Sequence, residues 1–152
     1  MANLLGRQER RAVLHVRVTV MRYRDWPTRL HETIQAAFER PFLWGEFDCC
    51  LFVADCAVAI CGVDPAKEYR GRYKTEIGAK RVMASTHGSV EAALDTCFER
   101  VDVQFAQRGD IVTFENKSGK CVAVLWSGRY WAATESGAAA VDCEPLVAWR
   151  VE

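Results

Sequence analysis

Two periodicities divide this chain. Between residue 22 and about residue 99 apolar side chains recur every three or four positions, the spacing of helices that bury one face. Beyond about residue 110 they come in short alternating runs broken by Gly, Ser and Asn, the pattern of strands and turns. The spacing predicts a first helix over 25–40, with Asp25 as its cap and Pro27 in the first turn, where a missing N–H costs nothing. Trp26, Leu30, Ile34, Ala37 and Phe38 form its apolar face, and Pro41 is the expected stop. A second helix over 48–61 has Asp48 at the N-cap and Gly62 just past its end. Leu51, Phe52, Val53, Ala54, Ala57, Val58 and Ile60 make it apolar almost all round, which places it at the centre of the domain. Helices over 75–85 and 89–99 follow, the latter capped by Ser89 and carrying Val90, Ala93, Leu94, Cys97 and Phe98. Strands are expected at 111–115, 120–126, 129–134, 138–141 and 146–151, the first two joined by the hairpin loop Asn116-Lys117-Ser118-Gly119. Helices first and antiparallel strands after them predict an α+β fold.

Residues 1–21 stand apart as an N-terminal extension ahead of a 22–152 domain. Leu14, Val16, Val18 and Val20 alternate with His15, Arg17 and Thr19, the period-2 signature of a half-buried strand. An edge strand, an arm that docks on a partner and, because Met21 precedes the first helix, an optional leader all fit this pattern.

Composition narrows the function classes. Twenty basic residues balance twenty acidic ones, so no global field draws nucleic acid or anionic lipid. The Arg7, Arg10, Arg11, Arg17, Arg22 and Arg24 excess is local and reads as a solvated end. No apolar run approaches the ~20 residues of a membrane span, and Arg7, Glu9, Arg10 and Arg11 interrupt any secretory apolar segment. The seven cysteines are therefore expected as reduced thiols. They contain no C-x-x-C pair, which argues against zinc or an iron–sulfur cluster; no metal and no cofactor is expected.

One cysteine differs from the rest. With Gly45 making a turn and Asp48 capping the helix, Cys49 falls in the first helical turn, where free backbone N–H groups and the dipole's positive end favour a thiolate. That is where a nucleophilic cysteine belongs. Cys56, Cys61 and Cys97, on apolar helix faces, read instead as small core hydrophobes. Trp126, Tyr130, Trp131 and Trp149 fit either core packing or a stacking surface for sugars or a protein partner.

Trp44-Gly45-x-x-Asp48-Cys49-x-x-Phe52-Val53, then Gln107-Arg108-Gly109-Asp110-Ile111-Val112-Thr113-Phe114, then a strand ending in Trp126-Ser127-Gly128, resembles the NlpC-like cell-wall cysteine peptidases. The closest likeness is to phage and prophage tail-region proteins related to them, over residues 22–152. The resemblance implies a papain-like α+β fold, with the cysteine helix packed on an antiparallel sheet. Cys49 matches the nucleophile, and Trp44, Gly45, Gly109 and Asp110 match motif positions around it. The general base should be a histidine opening the next strand, where this chain has Cys121-Val122-Ala123-Val124; the orienting polar residue should fall near Ala132-Ala133. A thiol, with a pKa of about 8.5 against about 6.5 for imidazole, is a poor proton shuttle. His31 reads as a surface residue of the first helix, and His87, before Gly88 in an interhelical loop, is the one histidine with reach towards Cys49.

The resemblance thus implies a tail-tip or baseplate component of a virion, made in a bacterial cytoplasm and working by contact with other tail proteins, on a scaffold whose hydrolytic site has decayed. The alternative is an active peptidoglycan endopeptidase with Cys49 as nucleophile. An intracellular thiol-dependent or metal-binding protein is a third reading, from the cysteine count alone.

Overall fold

A computed structural model describes residues 20–152, so the alternating Leu14–Val18 stretch, His15 and most of the arginine cluster lie outside the described residues. Four helices, α1 (Trp26–Ala36), α2 (Cys49–Cys61), α3 (Glu76–Thr86) and α4 (Val90–Asp95), precede six strands, β1 (Glu99–Val101), β2 (Ile111–Asn116), β3 (Gly119–Trp126), β4 (Arg129–Thr134), β5 (Gly137–Val141) and β6 (Val147–Arg150). One sheet holds them in the order β1-β6-β2-β3-β4-β5, and every pairing is antiparallel. The α+β expectation holds.

The central helix is α2, as its all-round apolar sequence predicts. Leu51, Phe52, Val53, Ala54, Cys56, Ala57, Ile60 and Cys61 are buried along it, and Gly62 ends it in the left-handed conformation. Leu30, Ile34 and Ala37 of the first helical segment cover one side of α2, while Ile111, Val122, Val124 and Trp149 of the sheet cover another. The opposite sheet face carries Val112, Phe114, Ala123, Ala132 and Ala148 in a second cluster. Trp149 is fully buried, whereas Trp126, Tyr130 and Trp131 are half-buried, so the sheet aromatics belong mainly to packing.

Three boundaries differ from expectation, each for a tertiary reason. The first helix ends at Ala36 and not near Arg40: Ala37, Phe38 and Arg40 donate to carbonyls three residues back, and the Ala37 carbonyl accepts from Ala138 N–H of β5 at 2.8 Å. The sheet takes the acceptor that a continuing helix would need. Asp25 sits at the N-cap without capping, because its carboxylate accepts instead from Arg29 Nε at 2.8 Å. The fourth helix stops at Asp95, well short of residue 99, and Glu99–Val101 becomes a strand the periodicity does not predict. Its pairing with β6, Arg100 opposite Trp149, covers a strand edge, and Asp95 anchors the corner by accepting from Trp149 Nε1 and from Arg100 Nε and Nη2.

Asp110 ties the segment before α1 to the last strand. Its carboxylate, 0 % exposed, accepts from Arg22 Nη2 at 3.0 Å, from Arg150 Nε at 3.0 and 3.1 Å, and from Gln107 N–H at 2.8 Å. Arg22 also donates to the Val151 and Arg108 carbonyls and lies over the Trp26 ring. Gly109 makes the turn possible at φ +89°, its N–H bonded to the Leu125 carbonyl, and a Cβ there would press on the Arg22 guanidinium. The Gly109-Asp110 motif is thus an ionic clamp on the fold. Replacing Asp110 with Ala leaves two arginines facing a buried void; a loss of about 3–5 kcal/mol of stability is expected in urea unfolding, against little change for Asp25→Ala on the surface.

Candidate functional site

The turn before α2 is built around the Asp48 carboxylate, which is 1 % exposed. Oδ1 accepts the Leu51 N–H at 3.0 Å, the capping bond expected from sequence, and Oδ2 accepts the Gly45 N–H at 3.0 Å and the Tyr73 hydroxyl at 2.6 Å. Gly45 adopts φ +85°, and a Cβ there would meet the Tyr73 carbonyl oxygen at 2.1 Å. Only glycine lets the loop lie so close. Trp44, Gly45 and Asp48 therefore read physically as one device: a tight turn, docked on the loop ahead of α3, that delivers Cys49 to the first position of α2.

Cys49 is half-buried there, and its thiol interacts with that of Cys121 at the start of β3. The expectation that the helix dipole gives Cys49 a low pKa is not met. Hydrogen bonding to Cys121, burial, and the neighbouring Cys50 and Asp48 all push the Cys49 thiol up. Cys121 moves the other way, down to about 7, because the Cys49 thiol and Asn116 hydrogen-bond to its sulfur, against the opposing effect of burial. Burial pushes the adjacent Cys50 up to about 12.

The two described histidines, His31 and His87, lie elsewhere. His87 caps the end of α3; its Nδ1 shares a hydrogen bond with the Tyr69 hydroxyl, and its Nε2 lies 3.8 Å from Glu68 Oε2. His31 is exposed on α1, its ring 6.3 Å from that of Trp126. Among the described residues no hydrogen bond joins a histidine to Cys49. Ala132 is buried in the second sheet cluster, and Ala133 packs against the main core. All seven cysteines are free thiols, and among the described residues no group of three or more His, Cys, Asp or Glu side chains converges to hold a metal ion.

Next to Cys49 lies a small apolar cavity of about 80 Å³, walled by Trp44, Cys50, Tyr69, Tyr73, Met83 and Val122 among others. The two tyrosines are the site residues that sequence reasoning misses. They come from the 68–73 loop, where nothing in the local pattern marks them; the Asp48–Tyr73 bond, the Arg70–Asp55 ion pair and packing on Leu51 and Ala54 bring that loop over α2. Burial and the hydrogen bond to Asp48 push the Tyr73 hydroxyl up, so it stays a donor.

The thiol assignment has a direct check. Alkylation of Cys121 by iodoacetamide, followed by peptide mass spectrometry, is expected to rise through a midpoint near pH 7. In Cys49→Ala, which removes the hydrogen bond to its sulfur, the midpoint should move up towards the ordinary thiol value of about 8.5.

No curated protein matches the chain. Residues 21–151 match the model of a family described as a domain of unknown function, DUF6950.

Proposed function

The chain belongs to the family DUF6950, and for it we propose an NlpC-like, papain-like cysteine-peptidase scaffold whose hydrolytic site has been vacated, serving as a tail-tip or baseplate component of a phage or prophage virion assembled in the bacterial cytoplasm. The single observation that supports the loss of hydrolysis is the encounter of Cys49 with Cys121. Thiol proteolysis needs a base that takes the nucleophile's proton and returns it to the departing amine. Here the residue at the base's position is a thiol, Cys121, and among the described residues no histidine hydrogen-bonds Cys49. At Ala132 and Ala133 no polar side chain is available to orient a base. The tail role rests on the sequence resemblance, and on it residues 1–21 act as an arm that adds to a partner's sheet edge.

Purified protein is expected to cleave peptidoglycan stem peptides no faster than Cys49→Ala, measured by release of new amino termini. Turnover that depends on Cys49 in the parent contradicts the reading. Cys121→His should raise Cys49-dependent cleavage by on the order of ten- to a hundredfold, because it restores an imidazole opposite the thiol. No gain would mean that the scaffold assignment is wrong. For the assembly role, deletion of residues 1–20 is expected to leave circular dichroism and the melting midpoint close to the parent's, since Arg22 and everything it clamps remain. The same deletion should abolish recovery of the protein in purified virions. Normal incorporation would remove the arm from the proposal.

A further inference from the structure

We propose that the apolar cavity beside Cys49 is a binding site for a short hydrocarbon group of roughly three to five carbons, with α3 as its cover. The inference needs only the walls of the cavity and does not rest on the peptidase-like reading. The space measures about 80 Å³ and is enclosed by α2, the 65–73 loop, α3, α4, Val122 of β3 and Trp44. It exists because four of those stretches present alanine to it: Ala54, Ala66, Ala79 and Ala93. A longer apolar side chain at one of these positions would fill it.

The chemistry of the guest follows from the polar atoms of the wall, which are spent. A cavity holds water only where polar groups offer it hydrogen bonds. The Asp48 carboxylate already accepts from Gly45, Leu51 and Tyr73, and the Tyr69 hydroxyl is bonded to His87 Nδ1. Cys49 and Cys50 add only thiols, weak hydrogen-bonding groups that pack as small hydrophobes. Among the described residues, the one buried side-chain nitrogen or oxygen without a partner is Thr113 Oγ1, and Thr113 is not in the wall. The space is therefore dry and selects a group without polar atoms. Its volume, about 80 Å³, is roughly half of the ~150 Å³ in which an engineered cavity takes benzene, so rings and long chains are excluded.

The cover is the wall most easily displaced. No residue of α3 is fully buried, in contrast to the eight of α2, and it closes the cavity with Ala79 and Met83. Its C-terminal end is held to the loop by the His87–Tyr69 bond and by Arg72 Nη1 donating to Thr86 Oγ1 at 3.5 Å. A segment with so few buried contacts opens locally at low cost, which gives the guest a way in. The flexible thioether chain of Met83 then adapts to the guest's shape.

The test uses the full chain with isotope-labelled methionine methyl groups, followed by NMR as xenon or isobutane is added. Of the three methionines Met83 is the one in the wall, and Met21 is 75 % exposed. The Met83 methyl is expected to shift saturably with both gases, and isobutane should show cross-relaxation with the methyls of Met83 and Val122. Isopropanol, of similar size, should leave Met83 unmoved at the same concentration, because no wall atom is free to meet its hydroxyl. Ala79→Leu fills the space from the cover and should weaken the response at least about tenfold. A Met83 shift that is absent or does not saturate, an equal response to isopropanol, cross-relaxation between Met83 and water in the gas-free protein, or an undiminished response in Ala79→Leu overturns the proposal. The contacts in the parent protein decide this even if the variant does not fold. No peptide cleavage enters the measurement, so its failure and that of the peptidase-like reading are told apart.

Discussion

The Asp48 carboxylate is the constraint on which the rest of the site depends. A buried carboxylate is costly unless its lone pairs are met, and here three donors from three parts of the chain meet them: Gly45 N–H, Leu51 N–H and the Tyr73 hydroxyl. Each bond fixes something different. The first closes the turn, the second starts α2, and the third draws the 68–73 loop over the helix. Cys49 and Cys50 have their positions because that carboxylate has no other way to be satisfied. The arrangement also explains why the turn residue is glycine, since the Tyr73 carbonyl occupies the space of a side chain.

The same geometry sets the electrostatics of the thiols against the simple helix-terminus picture. A dipole of half a charge spread over one turn favours a thiolate modestly. Burial, an adjacent buried carboxylate and a second thiol within hydrogen-bonding range all oppose it at Cys49. The nearby effects win because they act over a few ångströms in a poorly solvated site, where both desolvation and Coulomb interactions are strongest.

A second buried carboxylate, Asp110, does for the edges of the fold what Asp48 does for its centre. It gathers an arginine from just before α1 and another from β6 onto the turn that opens β2. The helical half and the strand half are thereby joined at both a hydrophobic layer and an ionic one. Arg22, which the clamp uses, lies inside the family match of residues 21–151.

How much of this was legible in the chain depends on the range of the forces involved. The helix periodicity, the Asp48 cap, the Gly62 stop, the β2–β3 hairpin and the central place of α2 follow from near neighbours in sequence, and the structure has them. So does the position of Cys49 at a helix start. The premature ends of α1 and α4 and the existence of β1 were not legible, because a distant strand decides each by taking a carbonyl or offering an edge. The Cys49–Cys121 meeting could be expected only through resemblance, and the Tyr69 and Tyr73 wall not at all. By itself the sequence determined the four helices and all strands but β1, their ends aside, and which thiol stands at a helix terminus, since those depend on backbone propensity and caps a few residues away. The tertiary structure alone decided what surrounds that thiol, since burial and the buried hydrogen bond of Asp48 to Tyr73 join groups 25 positions apart.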